Sequence, residues 1–172
     1  MFNIIKIRQA KGVVTRSIGN MEIGACGEFE ALGAELKKII RDKFNKSFHI
    51  RQVDTGSCGG CISEIIASTN PIYDIQRFGI DFVASPRASD ALLVTGPVSA
   101  NMEIALKKTY DAMPAPKLVI TFGDCALDGG IFKNSYYVKN GVKKIIPVSM
   151  HIPGCPPTPT SLIKNLLIFL KK

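Results

Sequence analysis

Two runs, "ALLVT" at residues 91–95 and "KLVITF" at 117–122, are apolar almost without interruption. A strand with one face in water alternates apolar and polar residues; an unbroken apolar strand is covered on both faces. That is the mark of a parallel sheet between helices. Three further segments extend the pattern: "FHIRQVD" at 48–54, "IDFVAS" at 80–85, and "KKIIPVSM" at 143–150, where Pro147 predicts an edge or a bend. Helical segments fall between them. "ISEIIAST" at 62–69 is stopped by Asn70-Pro71, and "ANMEIALKKTYDAM" at 100–113 carries Met102, Ile104, Ala105 and Leu106 on its apolar face. "SLIKNLLIFLKK" closes the chain as a helix. The alternation predicts an open, mostly parallel α/β sheet with helices on both faces.

A doubly wound sheet of this flavodoxin-like type gathers its ligands at the C-terminal ends of the strands. Residues 1–47 stand apart from it. They read as an irregular arm, "IIKIRQAKGVVTRSIGN", followed by an amphipathic helix, "EFEALGAELKKIIRDKF", with Leu32, Leu36, Ile39, Ile40 and Phe44 near helical spacing. The chain therefore divides into an N-terminal arm and helix (1–47) and an α/β domain (48–172). With 172 residues, 46% of them hydrophobic, it can bury one substantial core. No apolar run approaches the ~20 residues of a membrane span. The first residues show neither a signal-peptide h-region nor twin arginines, so no signal peptide and no transmembrane helix are expected, and the cytoplasm is the expected compartment. The net charge of +8 favours acidic partners. No zinc-finger spacing, RNP-like strand or basic helix is present, and nucleic acid is not an expected partner.

Four of the five cysteines follow predicted strands. Cys58 and Cys61, in "TGSCGGCISE", come after the first; Cys125 follows "KLVITFG" and Cys155 follows "KKIIPVS". The turn "GPVS" after "ALLVTG" sits in an equivalent place. Strand ends that share one sheet edge would bring these cysteines together. Gly56, Gly59, Gly60, Gly123 and Gly154 surround them, which lets main-chain N–H groups come close, and Pro156 and Pro157 stiffen the last loop. In a reducing compartment an odd set of cysteines points to metal or redox chemistry over disulfides. Four thiolates suit Zn²⁺ and an iron–sulfur cluster alike. A single Cys-x-x-Cys pair with two distant lone cysteines fits a four-cornered cubane better than paired zinc knuckles. A dithiol redox site would leave Cys125 and Cys155 without a role.

The ordered set "GSCGGC…E", "LLVTGPVS", "GDCALDGGIF" and "PGCPPTP" resembles the small subunit of [NiFe] hydrogenases, and equally the homologous cluster-bearing 20 kDa subunit of complex I. The match runs from about residue 48 to the C-terminus. The resemblance implies that Cys58, Cys61, Cys125 and Cys155 hold one [4Fe–4S] cluster, the one nearest the active site of a large partner subunit. The Cys-x-x-Cys form is that of hydrogenases; the complex I subunit looks like it uses adjacent cysteines there. With no twin-arginine leader and no further C-terminal cysteines, the chain is most similar to the single-cluster subunit of membrane-bound, energy-converting hydrogenases, including formate hydrogenlyase-type complexes. The resemblance implies electron relay between ferredoxin-like subunits and a nickel–iron site that reduces protons to H₂. Implied partners are a hydrogenase-like large subunit, a polyferredoxin-type subunit and membrane subunits, with this chain peripheral on the cytoplasmic side of the membrane. An equivalent subunit of a complex I-like quinone or sulfur reductase is the alternative.

Other residues carry narrower expectations. Glu64, three after Cys61, is a helix N-terminal acid and, through the resemblance, a candidate proton relay. Asp124 and Asp128 read as solvated turn residues. Thr95, Gly96 and Pro97 are expected to shape the cysteine pocket. His151 is a candidate for tuning a cluster from nearby, while His49 reads as an ordinary paired or exposed histidine. Cys26 lies outside the four motifs and reads as a free thiol. Residues 1–47 are expected to serve as a docking arm.

Overall fold

The computed structural model describes residues 24–45 and 47–171. The expected arm before residue 24 lies outside them. The elements are α1 (Gly24–Phe44), β1 (Phe48–Asp54), α2 (Gly60–Ser68), β2 (Ile80–Phe82), β3 (Ala91–Thr95), α3 (Ala100–Asp111), β4 (Leu118–Phe122), α4 (Asp124–Asp128), β5 (Met150–Ile152) and α5 (Pro159–Leu170). The sheet has five strands in the order β2-β1-β3-β4-β5, and every pairing is parallel. The order reverses direction between β1 and β3, so a crevice opens beyond their C-terminal ends.

β3 explains the sheet's two-sided cover. All five of its residues are buried. Ala91 and Leu93 enter one core with Phe48, Ile50 and Phe122, while Leu92 and Val94 enter a second core with Val53 and Val119. The period-2 alternation of side chains makes these opposite faces. The first face is covered by α1, α2 and α5. On α5, Leu162, Ile163, Leu166, Leu167 and Leu170 form one stripe at helical spacing, all of them buried. Thr158 caps that helix, its Oγ1 accepting from Ser161 N–H at 3.2 Å, and Pro159 follows in the first turn. Burial of each such side chain contributes on the order of 1.5–3 kcal/mol. The second face is covered by Leu106 of α3 together with Met113, Val142 and Ile146.

The expected helix near the N-terminus is present and is anchored in the main core. Leu36 and Ile40 are fully buried there. Phe29 meets Tyr73 and Phe78 edge-on at 5.3 and 5.7 Å between ring centroids, Phe44 meets Phe48 at 4.9 Å, and Glu30 pairs with Arg77. Phe48 opens β1, so this end of α1 sits at the sheet edge opposite the cysteines. Cys26 falls in the first turn of α1, and its expected state as a free thiol lies outside the described side chains.

The last strand is a correction. Residues 143–150 were expected to form it, but only Met150 belongs to β5, which runs Met150–Ile152. Val142–Lys144 form a 3₁₀ turn instead. Pro147 has no N–H to give to a ladder, and Val142 and Ile146 both point into the second core at a spacing of four, not two. Pairing to β4 starts from Ser149, whose N–H donates to Val119 O at 2.8 Å. Likewise the segment 80–85 pairs as a strand only through Phe82, with Val83 N–H continuing to Ile50 O at 2.9 Å.

Candidate functional site

All four motif cysteines line one cavity of about 100 Å³ at the C-terminal edge of the sheet. About 10–15 Å³ of such space is enough to admit one water. Cys58 and Cys61 come from the β1–α2 loop and first turn of α2, Cys125 from the first turn of α4, and Cys155 from the β5–α5 loop. All are free thiols; Cys61 is buried, Cys125 half-buried, Cys58 and Cys155 exposed. Gly96, Pro97, Asp124, Phe132, Gly154 and Pro156 also line the cavity. Among the described residues, no group of three or more His, Cys, Asp or Glu side chains is set to hold a single metal ion. A tetrahedral zinc site with Zn–S of ~2.3 Å would bring its sulfurs within about 3.8 Å of each other.

Each loop is shaped from beneath. Asp54 Oδ1 accepts from Gly56 N–H at 3.1 Å and Ser57 N–H at 2.8 Å, turning the chain into the first cysteine loop. Thr55, fully buried, donates its hydroxyl to Thr95 O at 2.7 Å and Gly96 O at 3.1 Å, tying that loop to the turn after β3. In that turn Val98 adopts φ 59°, a strained conformation for a β-branched residue. It is held by Ser99 N–H to Thr55 O and Lys139 N–H to Val98 O, both 2.8 Å. Glycine is required where the sulfurs crowd the backbone. A Cβ on Gly123, at φ +91°, would lie 2.8 Å from Cys61 Sγ, and one on Gly130, at φ +49°, 2.8 Å from Cys125 Sγ.

Gathering four thiols this closely has an electrostatic cost. Burial pushes the Cys61 thiol up to about 11, and the neighbouring Cys125, Cys58, Cys155 and Asp124 add to the effect. Cys125 is also raised, first by burial and then by Cys155, against a lowering contribution from the Ile131 main chain. A positively charged centre in the cavity would reverse this. The thiol donor set, the glycines that leave room beside two of the sulfurs and the mutual repulsion of the thiolates all fit an iron–sulfur group.

The other expected residues divide. Gly96 and Pro97 line the cavity, with Thr95 buried beneath them. Asp124 lines it too, with its side chain still exposed as expected; Asp128 is also exposed and bonds Gly130 N–H and Lys133. The Lys133 ammonium, then the Gly130 amide, hold the Asp128 carboxyl below the usual range. Glu64 is half-buried on α2 and is not among the lining residues. His151 lies on β5, 3.6 Å from Asp124, whereas His49 is at the start of β1, 3.5 Å from Asp90. Asp54, Thr55, Ser57 and Phe132 were not singled out in the sequence. The run "DTGS" before Cys58 carried a turn signal that would have found the first three.

Residues 58–169 match the family model of the NADH ubiquinone oxidoreductase 20 Kd subunit. Formate hydrogenlyase subunit 7 of Escherichia coli is 42% identical over 80% of this chain and 54% of its own length. A probable membrane-bound hydrogenase subunit of Pyrococcus furiosus is 41% identical over 81% of each chain. Among solved structures, a chain of the membrane-bound sulfane sulfur reductase, an archaeal respiratory membrane complex, superposes with a TM-score of 0.66 at 31% identity, covering 80% of this chain and 74% of that one. These matches bear out the resemblance drawn from the four cysteine motifs: the chain belongs to the family of the 20 kDa subunit of NADH ubiquinone oxidoreductase, whose members include subunits of hydrogenase complexes.

Proposed function

We propose that this chain is an electron-transfer subunit, with Cys58, Cys61, Cys125 and Cys155 holding one [4Fe–4S] cluster. The observation that carries the reading is the convergence of four thiols, from three separate loops, on one cavity. The cavity's volume of about 100 Å³ leaves room for a polynuclear centre. Bound there, the cluster supplies one-electron transfer. This chain's part is to orient the four sulfurs, to leave room beside those of Cys61 and Cys125 at Gly123 and Gly130, and to limit water through Pro97, Phe132 and Pro156. Burial of this kind sets a potential.

The relay proposed is between a ferredoxin-like subunit and the [NiFe] site of a hydrogenase-like large subunit that reduces protons. The E. coli and P. furiosus relatives, named as subunits of formate hydrogenlyase and of a probable membrane-bound hydrogenase, support the hydrogenase part of it. Peripheral attachment to a membrane complex on its cytoplasmic side belongs to the same reading, and no described helix is long and apolar enough to cross a membrane. Residues 1–47 serve as the docking arm, a role for which Lys37, Lys38 and Arg41 lie exposed on α1. Glu64 is a proton-relay carboxylate in this scheme. A sulfur reductase is the second reading, favoured by the superposition with the sulfane sulfur reductase chain.

The test is iron and acid-labile sulfide per chain in anaerobically purified protein. About four of each are expected, falling in Cys58→Ala, Cys61→Ala, Cys125→Ala and Cys155→Ala variants. Zinc without sulfide would sink the reading. Nickel in the co-purifying large subunit separates the hydrogenase from the sulfur reductase.

A further inference from the structure

The residues immediately before the two lone cysteines are bonded to each other. Asp124 N–H donates to Gly154 O at 3.0 Å, and Gly154 N–H donates back to Asp124 Oδ1 at 3.1 Å, across 30 residues of sequence. The same carboxylate oxygen lies 3.6 Å from His151 Nε2. His151 is in turn held at Nδ1, 3.0 Å from the buried hydroxyl of Thr121.

An aspartate in a turn ordinarily accepts from an amide about two residues further along the chain. Asp54 does the local equivalent, bonding amides two and three residues on. The Asp124 carboxylate makes its main-chain bond across to the Cys155 loop instead. Cys58 and Cys61 need no such tie, because only Gly59 and Gly60 separate them along the chain. Cys125 and Cys155 sit on different loops, and only non-covalent contacts set the distance between them. No side chain other than hydrogen is tolerated at Gly154: its φ is +136°, and a Cβ would lie 2.9 Å from Pro157 Cα.

We propose that Asp124 is a positioning residue, its carboxylate braced by His151, and that it fixes the spacing of Cys125 and Cys155 for the cluster. This rests on the four-cysteine ligand reading above. A purely solvated turn aspartate would have no effect on cluster retention.

The experiment compares wild type, Asp124→Ala, Asp124→Asn and His151→Gln as full-length protein purified anaerobically with its partner subunits. It reads the rate of iron release to an Fe²⁺ chelator and the reduction potential by EPR-monitored titration. Asp124→Ala is expected to release iron about tenfold faster or more, the usual scale for losing a group that orients a metal ligand. Asp124→Asn keeps the acceptor oxygen and is expected to restore the wild-type rate. Its potential should nonetheless shift upward, because a negative charge beside the cavity is gone. Wild-type release from Asp124→Ala, or release from Asp124→Asn as fast as from Asp124→Ala, overturns the proposal. Should Asp124→Ala fail to fold, His151→Gln decides: faster release supports the brace and an unchanged rate overturns it. A wild type without iron and sulfide would instead defeat the ligand reading itself, a result distinguishable from any of these.

Discussion

Gly96 lies so close to Ser57 that a Cβ on Gly96 would stand 2.6 Å from the Ser57 amide nitrogen. The turn after β3 is thereby pressed against the first cysteine loop, at φ +86°. Gly96→Ala must push one loop off the other as well as hold a strained backbone. A loss of about 1–3 kcal/mol is expected, measured by urea unfolding of the metal-free chain, together with a lower iron content after reconstitution.

Thr55 joins the same two loops by its hydroxyl. In Thr55→Val the shape is kept, and Thr95 O retains the Thr55 main-chain N–H at 2.8 Å. The Thr55 hydroxyl's bond to Gly96 O is lost in a buried setting. A loss of roughly 1–3 kcal/mol follows, whereas Thr55→Ser, which retains the donor, should stay well short of it. Parallel denaturation curves of the two variants check the difference.

Gly33 tests how firmly α1 belongs to the fold. By helix propensity alone Gly33→Ala should stabilise the protein by up to about 1 kcal/mol. The added Cβ would run into the Phe78 ring, which is also packed on Phe29. Overpacking of this kind costs about 1–3 kcal/mol, so net destabilisation is expected. A raised thermal midpoint would show that the ring has room to yield.

The crowding of thiols gives a pH signature in the metal-free protein. With its pKa pushed up to about 11, Cys61 stays protonated where the exposed Cys58 and Cys155 are accessible to reagent. Iodoacetamide, followed by peptide mass spectrometry, should label Cys61 last, its rate still climbing towards pH 11. The sign for stability follows from the same shift. An acid whose pKa rises from 9.0 to about 11 on folding leaves the folded state holding more protons between those values. Stability is therefore intact below pH 9 and falls as pH rises through about 11. Removal of Cys61 by Cys61→Ala should abolish that part of the alkaline loss.

Much of this site could be read from residues alone, because its ligands sit where strand logic puts them. The unbroken apolar runs at 91–95 and 118–122 identified buried parallel strands, and a cysteine loop follows the second as the fold requires. Thr95, Gly96 and Pro97 were found by their equivalent place in the strand order. The segment 143–150 misled because Ile145 and Ile146 look like strand residues; only the tertiary context shows Val142 and Ile146 filling a core from a turn. Asp124 was undervalued for a different reason. Its partner is a main-chain amide 30 residues away, and no local pattern announces such a bond.

The strand order has a consequence for how the cavity comes into being. Its thiols arrive on loops after β1, β4 and β5, and Gly96 and Pro97 on the turn after β3, so four of the five strands contribute to its lining. No contiguous fragment shorter than residues 58–155 contains all four cysteines. The chain thus works as a coincidence detector for its own completion: four sulfurs face one another only after its first and last strands have taken their places.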